Sequence, residues 1–304
     1  MTKKIAVIND LSGFGRCSLT AAISVISAMG IQACPLPTAI LTAQTGYPHY
    51  YLDDYTDKMD IYRQEWQKMG QHFDGIYTGF VASEAQIDQI FHFIDTFYTS
   101  DTFLLVDPVM GDDGIKYDMF TSKLLEKMNA LVGEADIITP NLTELCLLTD
   151  ADYDAIIDIA DTRILIDVIG ELASTLLPPD SNNSNTLDSR QTSKKEKEII
   201  ITGIHCKNEH GQKMMGNLYV SKDTRKLFAF PHVGGSYSGT GDLFASCIAA
   251  GKCRGDGIPE LIQLSGTFLE QAIKDSAEEN VPYPDGTNYE KYLYMLIKNR
   301  VLTL

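Results

Sequence analysis

The first half of the chain repeats one order four times: a short apolar run, a polar turn with glycine or proline, then a helical pattern. The runs are Ile5–Ile8, Gly75–Tyr77, Thr102–Val106 and Asp136–Ile138. Their helical partners are Ser18–Met29, Ser83–Tyr98, Met119–Leu131 and Leu142–Leu148. Gly30 closes the first helix, and Ser83 with Gln86 reads as a capping box at the start of the second. A further extended stretch, Cys34–Leu41, ends in the polar segment Thr42–Tyr47. Apolar runs of this length alternating with amphipathic helices predict a mostly parallel sheet covered by crossover helices on both faces. Such sheets bind ligands beyond the C-terminal ends of their strands. The residues to watch are therefore Asn9-Asp10, Thr78–Phe80, Asp107–Asp112 and Thr139–Glu144.

The second half predicts one helix over Asp154–Leu177, a strand over Ile199–Thr202, and a β-hairpin from Lys213–Val220 and Arg225–Phe230. Between that helix and strand lies Pro178–Glu198, almost wholly polar, which reads as a solvated insertion. After the hairpin comes Gly234–Asp242, rich in glycine and serine, and an apolar helix from Leu243 to Ala250. Helices follow over Ile258–Ser276 and Tyr289–Ile297. Only the strand–turn–helix unit recurs, so residues 1–304 are expected to form a single domain.

The net charge of −16 disfavours nucleic acid or an anionic membrane as partner, since both attract basic surfaces. It does not disfavour a nucleotide, whose phosphates a glycine-rich loop, a helix N-terminus and Mg²⁺ can hold locally. The apolar run after Met-Thr-Lys-Lys is too short for a signal sequence, and no later stretch is long enough to span a membrane. The six cysteines are scattered without a CxxC pair, which predicts reduced thiols in the cytoplasm. The histidines form no HxH or HxxxH pair, so nothing points to a transition-metal site.

Three segments carry chemistry, each with a purely structural alternative. Gly239-Thr240-Gly241-Asp242 precedes an apolar helix, whose free N–H groups make an anion hole for a transferring phosphoryl group. Asp242 there can take a proton from a substrate hydroxyl, or simply favour a helix start. Asn141 and Glu144, three residues apart, share a helix face and can hold water around Mg²⁺, or form a capping box. Asp107 and Asp112 after a buried strand suit a metal–nucleotide complex, or an Asp/Gly-rich turn. There is no GxxxxGK[ST] loop. A dinucleotide fingerprint also fails, because Ser18 stands where a third glycine is needed after Gly13 and Gly15.

Together these segments, from about Lys4 to Lys252, resemble the ribokinase superfamily and, within it, the pyridoxal kinases. Two more stretches carry the resemblance: Gln44-Thr45-Gly46-Tyr47, where that branch has His-Thr-Gly-Tyr, and Thr78-Gly79-Phe80, where it has Thr-Gly-Tyr. The resemblance implies a three-layer α/β/α ribokinase-like fold with a central, mostly parallel sheet, an edge β-hairpin and a reduced lid. It implies ATP-dependent phosphorylation of the 5′-hydroxymethyl group of a B6 vitamer, by a cytoplasmic homodimer. Asp242 would be the base, and Gly239, Thr240 and Gly241 the anion hole. Asn141 and Glu144 would organise Mg²⁺ through water, and Asp107 and Asp112 would lie near the γ-phosphate. Thr139 and Thr202 would contact the nucleotide, and Asp10, Thr45 and Phe80 would line the vitamer pocket. A monovalent cation, K⁺, is a further candidate cofactor.

The chain departs from the pyridoxal kinases at two of these positions. Asp10 replaces the usual serine, and Asp10-Leu-Ser-Gly-Phe-Gly15 is similar to the start of hydroxymethylpyrimidine kinases. Phe80 replaces a tyrosine, keeping a stacking face without the hydroxyl. A hydroxymethylpyrimidine kinase or a dual-substrate enzyme is therefore the alternative activity. A non-catalytic nucleotide or vitamin sensor is the third reading, and the presence of Asp242 speaks against it.

Overall fold

A computed structural model describes residues 2–179 and 195–297. Its sheet is built from β1 (Lys4–Ser12), β2 (Gln32–Leu41), β3 (Leu52–Asp54), β4 (Gly75–Thr78) and β5 (Phe103–Val106). A two-stranded hairpin, β6 (Gly111–Asp112) with β7 (Ile115–Lys116), stands apart from it. The sheet continues with β8 (Ile137–Ile138), β9 (Glu198–Lys207), β10 (Lys213–Val220) and β11 (Arg225–Pro231). Strand order is β11-β10-β9-β8-β5-β4-β1-β2-β3. From β9 to β2 every neighbouring pair is parallel, and antiparallel strands occupy both edges.

The parallel strands are apolar at successive positions because both faces are covered. Ala6 and Ile8 of β1 enter one core while Ile5 and Val7 enter the other. Leu104 and Val106 oppose Phe103 and Leu105 in the same way. On the second face pack α1 (Ser18–Ala28), α8 (Thr240–Arg254) and α9 (Ile258–Glu278). On the first face lie α2 (Thr56–Lys68), α3 (Glu84–Phe97), α4 (Ser122–Glu134), α5 (Leu142–Thr149), α6 (Tyr153–Ile157) and α7 (Thr162–Ser174). The layers are those of the ribokinase-like α/β/α arrangement. No helix of the described residues is long and apolar enough to cross a membrane.

Several local expectations need correction. The helix anticipated over Asp154–Leu177 is two helices, because the Asp161 carboxylate accepts the Arg163 and Ile164 N–H groups and starts α7 afresh. The Ser83 capping box is half formed: Ser83 accepts the Gln86 N–H, but the Gln86 side chain accepts the Ala82 N–H instead. The segment Tyr289–Leu296 is a 3₁₀ helix, and α2 with β3 falls in a stretch that had no assignment. Most of the Pro178–Glu198 insertion lies outside the described residues. Its last residues belong to the core, since the buried Lys197 ammonium donates to the Val132 carbonyl at 2.6 Å and Glu198 opens β9.

Candidate active site

The C-terminal ends of β1, β4, β5 and β8 open into one cavity of about 1080 Å³, closed on the far side by the start of α8. Every residue given a site role from the sequence lines it: Asp10, Thr45, Phe80, Asp107, Asp112, Thr139, Asn141, Glu144, Thr202, Gly239, Thr240, Gly241 and Asp242. Eight carboxylates line this cavity, from Asp10, Asp107, Asp112, Asp113, Asp118, Glu144, Asp242 and Glu270, and no Lys or Arg among the described residues does so.

Gly239 caps α8 with φ +81°, a conformation glycine adopts without penalty. A Cβ there would lie 2.1 Å from the Arg16 carbonyl, so the loop before α1 and the start of α8 touch backbone to backbone. Asp242 follows in the first helical turn, and its carboxylate accepts the Asn9 amide N–H at 3.0 Å. The Ser18 backbone N–H also donates to it, from a residue held at φ +49°. Burial pushes Asp242 up to about 6, the Asp10 charge adds to this, and the two donors pull it back.

Beyond β5, Asp107 is 6% exposed and accepts the Thr139 hydroxyl at 2.7 Å. Burial and the Asp242 charge push it up to about 7. Glu144 lies 5% exposed at the start of α5. Its Oε2 accepts the Asn141 N–H at 2.8 Å, and its Oε1 accepts the Met110 N–H at 3.1 Å. The Asn141 side chain in return accepts the Glu144 N–H and donates to the Gly111 carbonyl at 2.9 Å. The capping box is thus present, and it also ties the β6–β7 hairpin to α5. Burial and Asp107 push Glu144 well above the ordinary range. Burial together with a neighbouring acid raises Asp107, Asp112, Glu144 and Asp242, so this group lacks counter-charge, which Mg²⁺ with its waters would supply.

At the other end of the cavity, Asp10 is buried and its carboxylate accepts the Ser12 hydroxyl at 2.9 Å. The β1–β2 register slips between Asn9 and Leu11, which re-aims the strand where it meets the cavity. The wall here comes from distant parts of the chain. Gln44 Nε2 donates to the Pro284 carbonyl at 3.0 Å, the Tyr47 hydroxyl donates to the Asp285 carboxylate, and the Arg16 N–H donates to the Asp285 carbonyl at 3.2 Å. Sequence reasoning marked Asn9 by its place after β1 without giving it a role, and it missed Ser18 and these C-terminal contacts. Asn9 had one signal, a lone amide directly after the apolar run of β1.

Comparison with known proteins agrees with this geometry. The family model for phosphomethylpyrimidine kinase matches residues 15–176 and 171–283. A Bacteroides thetaiotaomicron protein assigned as a phosphomethylpyrimidine kinase is 34% identical, with TM-score 0.82, covering 97% of this chain and 94% of that one. A second crystal form of it, solved with pyridoxal, aligns at 33% identity and the same TM-score, covering 97% and 96%. Lactobacillus plantarum pyridoxal kinase is 25% identical with TM-score 0.80, covering 97% of each chain. A Schizosaccharomyces pombe protein assigned as a pyridoxal kinase is 28% identical over 194 residues, 63% of this chain. The match spans about half the length of that relative, 50%. The chain belongs to the phosphomethylpyrimidine kinase family of the ribokinase-like superfamily.

Proposed function

We propose that the protein, acting as one domain over residues 1–304, transfers the γ-phosphoryl group of ATP to the 5′-hydroxymethyl group of pyridoxal, pyridoxine or pyridoxamine. The observation that carries this reading is the position of Asp242. It stands in the first turn of α8 and faces a cavity shared by the Asp10–Phe80 end and the Asp107–Glu144 end. The relative solved with pyridoxal supports the choice of a B6 vitamer.

In this reading Asp242 accepts the proton of the substrate hydroxyl as its oxygen bonds to the γ-phosphorus. The bond to the bridging oxygen breaks, and ADP leaves with that electron pair. The N–H groups of Gly239, Thr240 and Gly241 face the charge on the phosphoryl oxygens, helped by the positive end of α8. Thr139 and Thr202 contact the nucleotide, while Asp107 and Asp112 lie beside the transferring group. Glu144 with Asn141 would hold Mg²⁺ through water, and the ion when bound supplies positive charge to the phosphates. A monovalent cation such as K⁺ is compatible with the same excess of carboxylates. Thr45 and Phe80 close on the vitamer ring, and Asp10 accepts a hydrogen bond from it. The reading includes a homodimer in the cytoplasm, in keeping with six free cysteines.

Asp10 favours a second reading, activity on hydroxymethylpyrimidine, because an ionised acceptor suits an amino substituent. ADP release with each vitamer and with hydroxymethylpyrimidine, with and without Mg²⁺, separates the two. Pyridoxal is expected to give the highest kcat/KM, and Asp242→Asn to lower kcat by about 10²–10⁴-fold. A preference for the pyrimidine would move the assignment to the second reading. An Asn variant within about threefold of wild type would remove Asp242 as base.

A further inference from the structure

Asn9 is wholly buried, at 0% exposure, and its amide is shared by three parts of the cavity. Nδ2 donates to Asp242 Oδ1 at 3.0 Å. Oδ1 accepts two backbone N–H groups, from Phe80 at 2.9 Å and from Asp10 at 3.0 Å. Those two partners can only donate, so the amide oxygen must face them and the nitrogen must face the carboxylate. A carboxylate at this position would offer nothing to Asp242, and an aliphatic side chain would leave the Phe80 and Asp10 N–H groups without a partner.

The neighbouring backbone is shaped to admit this amide. A Cβ on Gly79 would lie 2.3 Å from Asn9 Nδ2 and 2.7 Å from its Cγ. Gly79 is a glycine with no positive φ, so space for Asn9, not backbone conformation, accounts for it. The Gly79 N–H donates to the Ile8 carbonyl at 2.9 Å, which holds the two segments at this separation.

We infer that Asn9 is a positioning residue: it aims the Asp242 carboxylate into the cavity and couples that aim to the vitamer end through the backbone of Asp10 and Phe80. The inference rests on Asp242 being the base. Several groups face that carboxylate: Asp10 from β1, Tyr77 from β4, Asp107 after β5, Cys17 ahead of α1 and Tyr117 beyond β7. The carboxylates repel it and burial disfavours its charge, while the Asn9 donor favours the ionised form that acts as base. Removing the donor therefore moves the acid limb of the rate profile to higher pH. A purely structural role would change yield or Tm and leave that limb in place.

The test compares Asn9→Ala, Asn9→Asp, Gly79→Ala and the Asn9→Ala/Gly79→Ala double variant, with Asp242→Asn in parallel. In full-length protein with pyridoxal, ATP and Mg²⁺, Asn9→Ala is expected to lower kcat by at least about tenfold, leaving KM for ATP within about twofold. Its acid limb should move up, and Asn9→Asp should move it further by adding a like charge. Gly79→Ala should reproduce the Asn9→Ala defect and add less than about twofold in the double variant. An unmoved acid limb in every variant, or full additivity of the two alanines, overturns the inference. If the Asn9 variants fail to fold, the acid limb of Gly79→Ala decides alone. An active Asp242→Asn enzyme would instead refute the base itself. An inactive one beside unshifted Asn9 variants refutes only the role of Asn9.

Discussion

Thr139 Oγ1 donates to Asp107 Oδ1 at 2.7 Å, joining the end of β8 to the end of β5 at the floor of the cavity. Asp107 is nevertheless pushed up to about 7 from an ordinary 3.8, with burial the larger cause and the Asp242 charge the next. A carboxyl with a raised folded-state pKa stabilises fully below its unfolded value and loses that contribution as pH rises through the folded one. Its share of stability is therefore lost between about pH 4 and about pH 7. Without nucleotide or Mg²⁺, Asp107→Asn should raise Tm more at about pH 8 than at about pH 5. Thermal scans check this, and equal Tm differences at both pH values would count against a buried Asp107 charge.

Glu144 holds two backbone N–H groups, one on α5 and one before the β6–β7 hairpin. In Glu144→Gln one of the two must face an amide nitrogen instead of an acceptor, at a cost of about 1–3 kcal/mol. The variant should therefore melt lower and need more Mg²⁺ for half activity, with KM for the vitamer unchanged. Loss of Tm alone, with the same Mg²⁺ titration, would leave Glu144 as a helix cap only.

Gly239 packs directly against the Arg16 and Cys17 backbone in the loop before α1. Gly239→Ala combines a left-handed φ with a Cβ driven against the Arg16 carbonyl, so the first N–H groups of α8 must move. Loss of one preorganised donor typically costs about 10²–10³-fold in kcat, and a loss of that order is expected here. Steady-state kinetics at saturating ATP measure it, and a kcat near wild type would place the anion hole elsewhere.

Asp10→Ser tests the choice of substrate. Losing a charge-assisted acceptor should weaken binding of donor-bearing rings by about 1–3 kcal/mol. The kcat/KM values for pyridoxal, pyridoxamine and hydroxymethylpyrimidine in both proteins report it. Three unchanged values would mean that Asp10 serves only its bonds with Ser12 and Ser18.

The sequence was most legible where a single physical cause acted. Uninterrupted apolar runs announced parallel strands, and glycine or carboxylate clusters after them announced the cavity. Asn141 and Glu144 form the capping box and also line the cavity, because a cap at a strand end faces that side. The helix over 154–177 was misjudged because apolar spacing continues across Asp161, while the cap that divides it depends on one carboxylate. Asn9 was marked by its place after β1 but given no role, because its meaning comes from Asp242 and Phe80, far away in sequence. The Gln86 side chain likewise bonds the Thr38 carbonyl, a partner no local rule could name.

The bonds that fasten Gln44 and Tyr47 to Pro284 and Asp285, beside the cavity-lining Tyr283, have a consequence for how the molecule acquires its pocket. Gln44 is separated by 240 residues from the carbonyl it grips, and Tyr47 by 238 from its carboxylate partner. Contacts of such separation carry a large loop-closure cost until the intervening chain has folded. During synthesis the strands can pair and α1 can dock while the Asp10 end of the cavity still stands open. The cavity is thus among the last parts of the molecule to be completed, and any ligand held at this end would report that the chain as far as Asp285 has folded.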